Sequence, residues 1–319
     1  MHQLILVGGL GFVGRNIIHE CTNTDLFSKF NMFAIDNLTN AEVGYENLSN
    51  IKIFEGDYQS DQCMDFIGDE TVGSRTFVFL AGETRVAESK DRPLDFIKAN
   101  ISEPSEFVLN NVKQNDHFIL ISTAGALFDG HGEIDVHRPY SPKNFYGASK
   151  AAEELILEKL VELKGATFSI VRLTNVYGIY SSRKKSAIHM FSRAAIDDNT
   201  ITINGDGMQT RDFIYSLDVG FGILMQALKF VNKDEIARIN MLGSGSSINL
   251  WDVVFAVELA SDKKLKYRQV TANTLLSTEP RDVVASKDDI LDLLGNRITS
   301  FQDGINSTYE YYKNLKKLK

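Results

Sequence analysis

The 319-residue sequence contains few of the features that mark secreted, membrane-spanning or proline-hinged proteins. It has only two cysteines, Cys21 and Cys63, and no Cys-x-x-Cys spacing, which argues against a disulfide framework and indicates a reducing compartment. Five prolines are too few for a proline-rich hinge. No apolar run approaches the ~18 residues that would span a bilayer, and the first residues lack the charged and apolar regions of a secretory signal. These absences predict a cytoplasmic protein without membrane insertion.

The charge of the chain also restricts its partners. The formal net charge is −8, and no basic face of the kind that binds nucleic acid is evident, so we expect no nucleic-acid partner. Potential metal ligands gather at His131, Glu133, Asp135 and His137 without the helical spacing of a zinc motif, and we predict no metal site.

Short apolar runs alternate with segments of helical periodicity through the first two thirds of the chain. Helices are predicted at 13–21 and 148–163. The predicted strands are 4–7, 31–35, 51–55, 76–81, 117–122 and 167–173. Strands that are apolar on both faces and separated by helices indicate a parallel sheet covered on both sides. The sequence therefore predicts an α/β fold with a doubly wound parallel Rossmann sheet.

The pattern changes after residue 175. Loops rich in Ser, Gly and Asn interrupt it, whereas 216–230 reads as a helix and 239–242 as a short strand. We expect these two elements to return to the sheet. The predicted organisation is a dinucleotide-binding domain over 1–175, with returns near 214–243, and a smaller, discontinuous substrate lobe over 176–319.

The first predicted strand runs directly into a glycine-rich turn. Gly8 lets the chain turn off the strand, Gly11 lets backbone approach a pyrophosphate, and Gly14 lets the next helix pack on the sheet. The beginning of that helix, with Phe12 and Val13, offers free N–H groups to phosphates. A glycine triplet alone is weak evidence, but its position between first strand and first helix predicts a dinucleotide site.

The ends of the following strands supply further cofactor candidates. Asp36 lies 22 positions after Gly14, where a carboxylate accepts hydrogen bonds from the adenosine ribose and repels the extra phosphate of NADP, so NAD is the predicted cofactor. An acidic residue at the end of the third strand could accept a hydrogen bond from the adenine amine. Small residues at the end of the fourth strand would let the backbone approach the cofactor closely. The remaining predicted cofactor-binding residues are Asn37, Asp57, Tyr58, Leu80, Ala81, Gly82 and Ser122.

A Tyr-x-x-x-Lys pair follows the fifth strand. Tyr146 and Lys150 share one helical face, and the fifth strand ends at Ser122 and Thr123. A nearby ammonium and a positive nicotinamide lower the pKa of a phenol, so Tyr146 could take a proton from a substrate hydroxyl. Lys150 could also bond the nicotinamide ribose. The predicted catalytic residues are therefore Thr123, Tyr146 and Lys150, with Tyr146 and Lys150 also touching the cofactor.

With these motifs, the chain resembles the extended short-chain dehydrogenases/reductases, specifically the nucleotide-sugar branch typified by UDP-glucose 4-epimerases. The segment 172–178, Arg-Leu-Thr-Asn-Val-Tyr-Gly, is similar to that branch's RxxNVYG segment. The most specific similarity is 205–218, Gly-Asp-Gly-Met-Gln-Thr-Arg-Asp-Phe-Ile-Tyr-Ser-Leu-Asp. Departures include Phe79-Leu-Ala-Gly82 where the family usually has HLAA.

The resemblance implies a nucleotide-sugar substrate, with UDP as the expected carrier. It implies that Asn175 and Arg211 contact the substrate, and a guanidinium suits a diphosphate. The complete set of predicted substrate-binding residues is Thr84, Thr123, Asn175, Arg211 and Arg281. Aligning 281–286 with the family also places Ser286 where a small side chain would admit an N-acetyl sugar. A homodimer through helices around 93–112 and 146–163 is a further implication.

The residues after Thr123 narrow the reaction. Dehydratases and decarboxylases of this family carry an acidic residue closely after the catalytic Ser or Thr, whereas here Ala124, Gly125, Ala126 and Leu127 follow. This leaves 4-epimerisation of a UDP-hexose or UDP-N-acetylhexosamine through a transient 4-keto sugar. A reductase of a nucleotide-linked 4-keto sugar stays open as an alternative. So does a non-catalytic dinucleotide-binding scaffold or sensor, although the intact Tyr146 and Lys150 pair argues against it.

Overall fold

Strands and helices alternate along most of the protein. The structure is a computed structural model that describes residues 1–48, 50–68, 73–129, 131–271 and 282–317. The strands are β1 (His2–Val7), β2 (Phe30–Asp36), β3 (Lys52–Glu55), β4 (Arg75–Phe79), β5 (His117–Thr123), β6 (His131–Ile134), β7 (Thr167–Leu173), β8 (Asn175–Tyr177), β9 (Ile201–Asn204), β10 (Thr210–Arg211), β11 (Phe213–Tyr215), β12 (Ile239–Leu242), β13 (Ile248–Asn249), β14 (Tyr267–Val270) and β15 (Asp282–Ala285). The helices are α1 (Phe12–Thr22), α2 (Asp61–Ile67), α3 (Val86–Ser89), α4 (Pro93–Ile97), α5 (Glu103–Asn111), α6 (Phe145–Leu163), α7 (Ala187–Asp197), α8 (Ser216–Asn232), α9 (Leu250–Ser261), α10 (Lys287–Leu294) and α11 (Phe301–Lys317).

Seven of these strands form one parallel sheet in the order β12-β7-β5-β4-β1-β2-β3. Each neighbouring pair is parallel, from β2 against β3 to β12 against β7. The order reverses direction between β1 and β4, which is the arrangement of a doubly wound sheet. The predicted fold class is confirmed, and the strand predicted at 239–242 does return to the sheet beside β7. The strand predicted over 76–81 ends at Phe79, so Leu80 and Ala81 lie in the loop beyond it.

Alternate residues of the central strands bury opposite faces of the sheet. Leu4 and Leu6 of β1 belong to an apolar cluster with side chains from α1, α8 and α10. Ile5 and Val7 belong to a second cluster with side chains from α2, α5 and α6. All four side chains are fully buried. Because a strand directs successive side chains to opposite faces, this one apolar run holds both helical layers on the sheet.

The later part of the chain has its own apolar cluster. Side chains of α7, α9 and α11 pack together there, among them Phe191, Val257 and Ile305. The strands outside the central sheet form three small sheets: a four-stranded sheet of order β13-β10-β15-β6 and the pairs β11-β8 and β14-β9. The predicted boundary near residue 175 stays a prediction, although β8 directly follows it.

A buried carboxylate ties the small sheet to the end of β7. Asp212 accepts hydrogen bonds from the backbone N–H of Ser244 at 2.7 Å, of Gly245 at 3.1 Å and of Ala285 at 3.0 Å. The Thr174 hydroxyl also donates to it, at 3.4 Å. One fully buried side chain therefore connects its own segment to three others: Thr174, the loop at 244–245 and the end of β15.

A buried ion pair connects α6 to the sheet. The Arg172 guanidinium on β7 donates to Glu154 of α6 at 2.7 Å, and both side chains are almost fully buried. Arg172 also donates to the Val136 carbonyl at 3.2 Å and to the Tyr140 hydroxyl at 3.1 Å. These bonds satisfy the guanidinium, so the arginine of the 172–178 segment has a structural role here.

Among the helices of the described residues, none combines the length and the apolar character that crossing a membrane requires.

Replacing Glu154 by Gln should destabilise the protein strongly. The substitution leaves the buried Arg172 charge without its anionic partner, and removing one member of a buried pair typically costs ~3–5 kcal/mol. We expect this loss in the free energy of unfolding measured by urea denaturation. Glu162→Gln is the matched control because Glu162 lies on the same helix in an exposed pair with Lys159, and it should produce no measurable change. Equal effects of the two variants would contradict this account.

Candidate active site

The predicted site residues meet at the carboxyl edge of the central sheet. The glycine-rich loop follows β1, Asp36 ends β2, and Thr123 ends β5. Ligands of doubly wound sheets bind at this edge, in the crevice where the strand order reverses. The crevice lies beyond the carboxyl ends of β1 and β4, and β5 is the next strand after β4 in the sheet.

The glycines of the first loop are required by close contacts. Gly8 has a φ of +79°, and an added Cβ would lie 2.9 Å from the Ala81 backbone nitrogen. A Cβ on Gly14 would lie 2.3 Å from the Gly9 carbonyl oxygen, so a side chain there would push α1 away from the loop. The loop and the end of β4 therefore touch at Gly8 and Ala81, as a sharp turn off the strand requires.

The beginning of α1 fits a pyrophosphate. Gly11 caps the helix without a side-chain hydrogen bond, and the first turn carries no acidic residue. An added Cβ on Gly11 would lie 3.6 Å from the Gly8 carbonyl oxygen, which is an ordinary van der Waals distance. Free N–H groups and the positive end of the helix dipole are thus available to an anion. Phe12 is buried and Val13 is partly buried, so these two contribute backbone groups to this helix end.

Asp36 has the position expected of a ribose-binding carboxylate. Its two oxygens accept hydrogen bonds from the backbone N–H of Leu10 and of Leu38, each at 2.9 Å. Burial raises the pKa of Asp36, and these amides partly offset the effect. The Gly11 amide also hydrogen-bonds this carboxylate, so one of its roughly four lone-pair positions remains for a ribose hydroxyl. The residue therefore also anchors the glycine-rich loop, a role that the sequence analysis did not assign.

The other predicted cofactor residues occupy different environments. Asn37 and Asp57 are exposed at the ends of β2 and β3 and accept hydrogen bonds from nearby backbone at 3.1 and 2.9 Å. Tyr58 lies edge-on against Phe79 and Phe107, with its hydroxyl 3.4 Å from Glu103. Its ring thus packs in the apolar layer. Cofactor contacts by these residues stay predictions.

A buried asparagine that the sequence analysis missed holds the loop after β4. Asn100 lies in a π-helical segment, Lys98–Ser102, and its amide oxygen accepts from the Glu83 N–H at 2.8 Å. Its amide nitrogen donates to the Glu83 carbonyl at 3.1 Å and to the Ser149 hydroxyl at 3.1 Å. Asn100 thereby links Gly82 and Glu83 to α6. Segments of π-helix often occur at functional sites.

The predicted catalytic residues converge between β5 and α6. The Tyr146 and Thr123 side chains are hydrogen-bonded, and the Lys150 ammonium donates to the Ile121 carbonyl at 3.0 Å. Ser122 is buried, and its hydroxyl has no hydrogen-bond partner among the described residues. Gly147 permits this arrangement because an added Cβ would lie 2.0 Å from the Ala126 carbonyl oxygen. The beginning of α6 therefore presses directly on the loop after β5.

The charge balance at Tyr146 differs from the sequence-based expectation. Burial raises the pKa of the Tyr146 phenol, and the neighbouring Lys150 ammonium offsets only part of that effect. Lys150 also contacts the carboxylate of Glu153, a residue that the sequence analysis did not identify. Lys150 and the Thr123 hydroxyl favour the phenolate but only partly offset burial, and a positively charged nicotinamide would favour it further.

The predicted substrate residues that the structure describes lie on several elements. Asn175 is exposed directly after β7, and its side-chain amide donates to the Asp212 carbonyl at 3.3 Å. Because Arg211 immediately precedes Asp212 in the sequence, this bond places Asn175 close to Arg211. Thr84 is exposed in the loop after β4. Ser286 is buried at the beginning of α10, and Arg281 lies outside the described residues. Substrate contacts by these residues stay predictions.

Comparison with known proteins agrees with this geometry. The family model of the NAD dependent epimerase/dehydratase family matches residues 4–241. A Methanocaldococcus jannaschii protein, provisionally named a UDP-glucose 4-epimerase, is 28% identical over 261 residues, which cover 79% of this chain and 81% of that protein. The human dTDP-D-glucose 4,6-dehydratase is 27% identical over 225 residues, covering 68% of this chain and 63% of the dehydratase.

A solved structure shows the same fold over nearly the whole chain. The Bacillus cereus UDP-glucuronic acid 4-epimerase, solved with UDP-glucuronic acid and NAD, superposes with a TM-score of 0.84 at 23% identity. The superposition covers 98% of this chain and 99% of that one. Because the family model matches well over half of the sequence, the chain belongs to the NAD-dependent epimerase/dehydratase family.

Proposed function

We propose that the protein is an NAD-dependent 4-epimerase of a nucleotide-activated hexose, with UDP as the carrier. The observation that supports this most is the convergence of Thr123, Tyr146 and Lys150 beside the glycine-rich loop. The open helix end at Gly11 and the carboxylate of Asp36 fit the pyrophosphate and the adenosine ribose of NAD. Relatives that carry NAD and UDP-sugars at high structural similarity support the same assignment.

In this reaction the side chains of the protein orient the sugar hydroxyl, and one of them, Tyr146, carries the proton. Bound NAD supplies hydride acceptance and return, which no side chain can perform. Thr123 holds the sugar hydroxyl against the Tyr146 oxygen. Tyr146 takes the hydroxyl proton as the sugar is oxidised and gives it back as the sugar is reduced. Lys150, hydrogen-bonded to the Ile121 carbonyl, favours the phenolate, and its ammonium would be the group that holds the nicotinamide ribose.

The residues after Thr123 argue against dehydration. Ala124 and Leu127 are fully buried and Ala126 nearly so, which leaves no acid or base beside Thr123 in this stretch. Removing water from a sugar needs an acid and a base besides the Tyr. Epimerisation needs only the phenol and a hydride carrier that stays bound. The relationship to a dehydratase therefore extends to the fold and cofactor but not to this part of the site.

Two assays separate the proposal from its alternatives. An epimerase retains NAD through purification and converts UDP-glucose to UDP-galactose, or the N-acetyl counterparts, without added cofactor. A 4-keto-sugar reductase would consume reduced cofactor stoichiometrically, and a scaffold would bind without turnover. The absorbance of the purified protein, followed by product analysis, distinguishes the three.

Changing Tyr146 to Phe should abolish turnover while NAD stays bound. Loss of a positioned general acid or base typically lowers kcat by about 100-fold or more. The measurement is conversion of UDP-glucose, with NAD content determined on the same sample. Tyr267→Phe is the control because Tyr267 is an exposed tyrosine of β14, and its variant should match the unmodified protein. Full activity of the Tyr146 variant would exclude the proposed mechanism.

Asp36→Asn should reduce the preference for NAD over NADP. The substitution weakens hydrogen bonds to the ribose, with an expected loss of about tenfold in NAD affinity. It also removes the charge that repels the extra phosphate of NADP. Calorimetric titration of nucleotide-free protein gives both Kd values. Asp61→Asn, an exposed acid at the beginning of α2, is the control, and an unchanged Kd ratio for Asp36→Asn would refute the assignment.

We also infer that the protein forms a homodimer through α4, α5 and α6. These helices expose a set of large apolar side chains on the surface away from the sheet: Leu94, Ile97, Leu109, Leu155, Ile156 and Leu163. The three helices are neighbours, and several large apolar side chains exposed on adjoining helices are typical of a protein interface. A symmetric pairing of α5 and α6 with their copies would bury them.

Leu155→Arg should therefore yield a monomer. The substitution would bury an unpaired positive charge at the interface, and the twofold symmetry would place two such charges there. Light scattering coupled to size-exclusion chromatography measures the mass. Leu259→Arg, at a similarly exposed leucine of α9, should leave the mass unchanged. A monomeric unmodified protein would disprove the inferred dimer.

Both cysteines support the predicted reducing compartment. Cys21 and Cys63 are free and buried, and burial raises the pKa of each thiol to about 12. They act as small apolar side chains in the two layers of the sheet. We therefore propose a cytoplasmic location.

A further inference from the structure

A carboxylate occupies a core-facing position of α6 that the helical pattern would assign to an apolar residue. Leu157 and Val161 are fully buried against the sheet, in the apolar cluster that contains Phe79, Phe107 and Leu120. Glu153 lies one turn before Leu157 on the same face and is also fully buried. Burying a carboxylate in such surroundings is unfavourable unless a charged partner compensates it.

Lys150 is that partner. The Lys150 ammonium is in contact with a Glu153 carboxylate oxygen, and the two side chains are 7% and 0% exposed. Among the described residues, no other hydrogen-bond partner is present for either Glu153 oxygen. The carboxylate is thus held by the lysine alone, and the lysine that serves the Tyr146 phenol is shared with a second acid.

The charged and titratable groups around Glu153 come from several elements. On α6 itself they are Tyr146, Lys150 and Glu154, and the last is paired with Arg172 of β7. From the opposite side, Tyr58 lies close enough to interact electrostatically with Glu153, and its hydroxyl faces Glu103 of α5. Since Arg172 is already neutralised by Glu154, Lys150 is the cation that acts on both Glu153 and Tyr146.

We propose that Glu153 is a positioning residue for this reaction: its carboxylate holds the Lys150 ammonium between α6 and β5 and offsets the positive charge that Lys150 presents to the Tyr146 phenol. This inference rests on the proposed function, because it concerns the phenol as the acid and base of the reaction. The three N–H groups of Lys150 are then divided between the Ile121 carbonyl, Glu153 and one free direction.

The protonation of Glu153 changes within the physiological range. Burial raises the pKa of Glu153 to about 7, even though Lys150 favours the charged form. Below that pH the protonated acid is neutral, and the full charge of Lys150 favours the phenolate of Tyr146. Above it the carboxylate opposes ionisation of the phenol. The two titrations therefore act against each other, and the rise of activity with pH should be broad because the sites are coupled.

Replacing Glu153 by Gln tests the proposal through the pH profile. Without the carboxylate, the phenolate becomes the main anionic partner of Lys150, so the acid limb of log kcat against pH should steepen and shift by about one unit to lower pH. UDP-glucose is the substrate, at saturation, with the protein in its NAD-loaded form. Glu153→Asp keeps the charge and should restore the original profile. Glu158→Gln removes a buried carboxylate farther along the same helix and should not move the limb.

A second readout does not depend on turnover. Ultraviolet difference titration detects phenolate, and subtracting the same spectrum of each protein with Tyr146→Phe isolates the single phenol. The midpoint for Tyr146 should fall in Glu153→Gln by the same amount as the kinetic limb. Glu153→Leu, which fits the apolar face, should give the same shift if the Gln variant folds poorly.

The outcomes separate this inference from the proposed function. If the midpoint of Tyr146 is the same in Glu153→Gln, Glu153→Leu and the unmodified protein, Glu153 has no such role, and inactivity of Tyr146→Phe would still support the epimerase. If no variant turns over UDP-sugars but the phenol midpoint shifts, the coupling holds and the assigned reaction is wrong.

Discussion

The close contact between the beginning of α6 and the loop after β5 determines the geometry of the whole site. Gly147 allows the helix to approach the Ala126 carbonyl so closely that no side chain would fit. As a result the second residue of α6, Tyr146, reaches the last residue of β5, Thr123. One turn later Lys150 meets the Ile121 carbonyl of the same strand. The sheet thus fixes the positions of both the predicted base, Tyr146, and the ammonium of Lys150.

The same contact explains why the site depends on its cofactor. Burial of Tyr146 excludes water from the phenol but raises its pKa, and the ammonium of Lys150 is partly compensated by Glu153. A positively charged nicotinamide beside the phenol would supply the missing stabilisation of the phenolate. Oxidised nicotinamide would therefore favour proton transfer to Tyr146 in the same state that can accept hydride.

Much of this organisation could be predicted from the sequence because it depends on local patterns. The alternation of apolar strands and helices gave the sheet, and the spacing of Gly8, Gly11 and Gly14 identified the cofactor loop. Asn100 could not be found in this way, since its role depends on a π-helical turn that brings the amide to Glu83 and Ser149. Arg172 was part of a recognised segment, yet its buried bond to Glu154 needed the helix and strand to be placed together. Glu153 did leave a signal, because an acid occupies the helical face of Leu157 and Val161.

The small sheet imposes the remaining constraint on an epimerase. A hexose that is reduced from its opposite face must turn within the pocket while its nucleotide stays bound. Arg211, the predicted phosphate ligand, immediately precedes Asp212, whose carboxylate is fixed by Ser244, Gly245 and Ala285. The position of Arg211 relative to β7 is therefore set by buried hydrogen bonds and not by an exposed loop. Tyr146 and Thr123 are set by β5, which pairs directly with β7. The predicted phosphate anchor and the predicted base are thus both positioned relative to neighbouring strands of one sheet. If they hold the nucleotide and the reacting hydroxyl, the turn that 4-epimerisation requires would be made by the sugar alone.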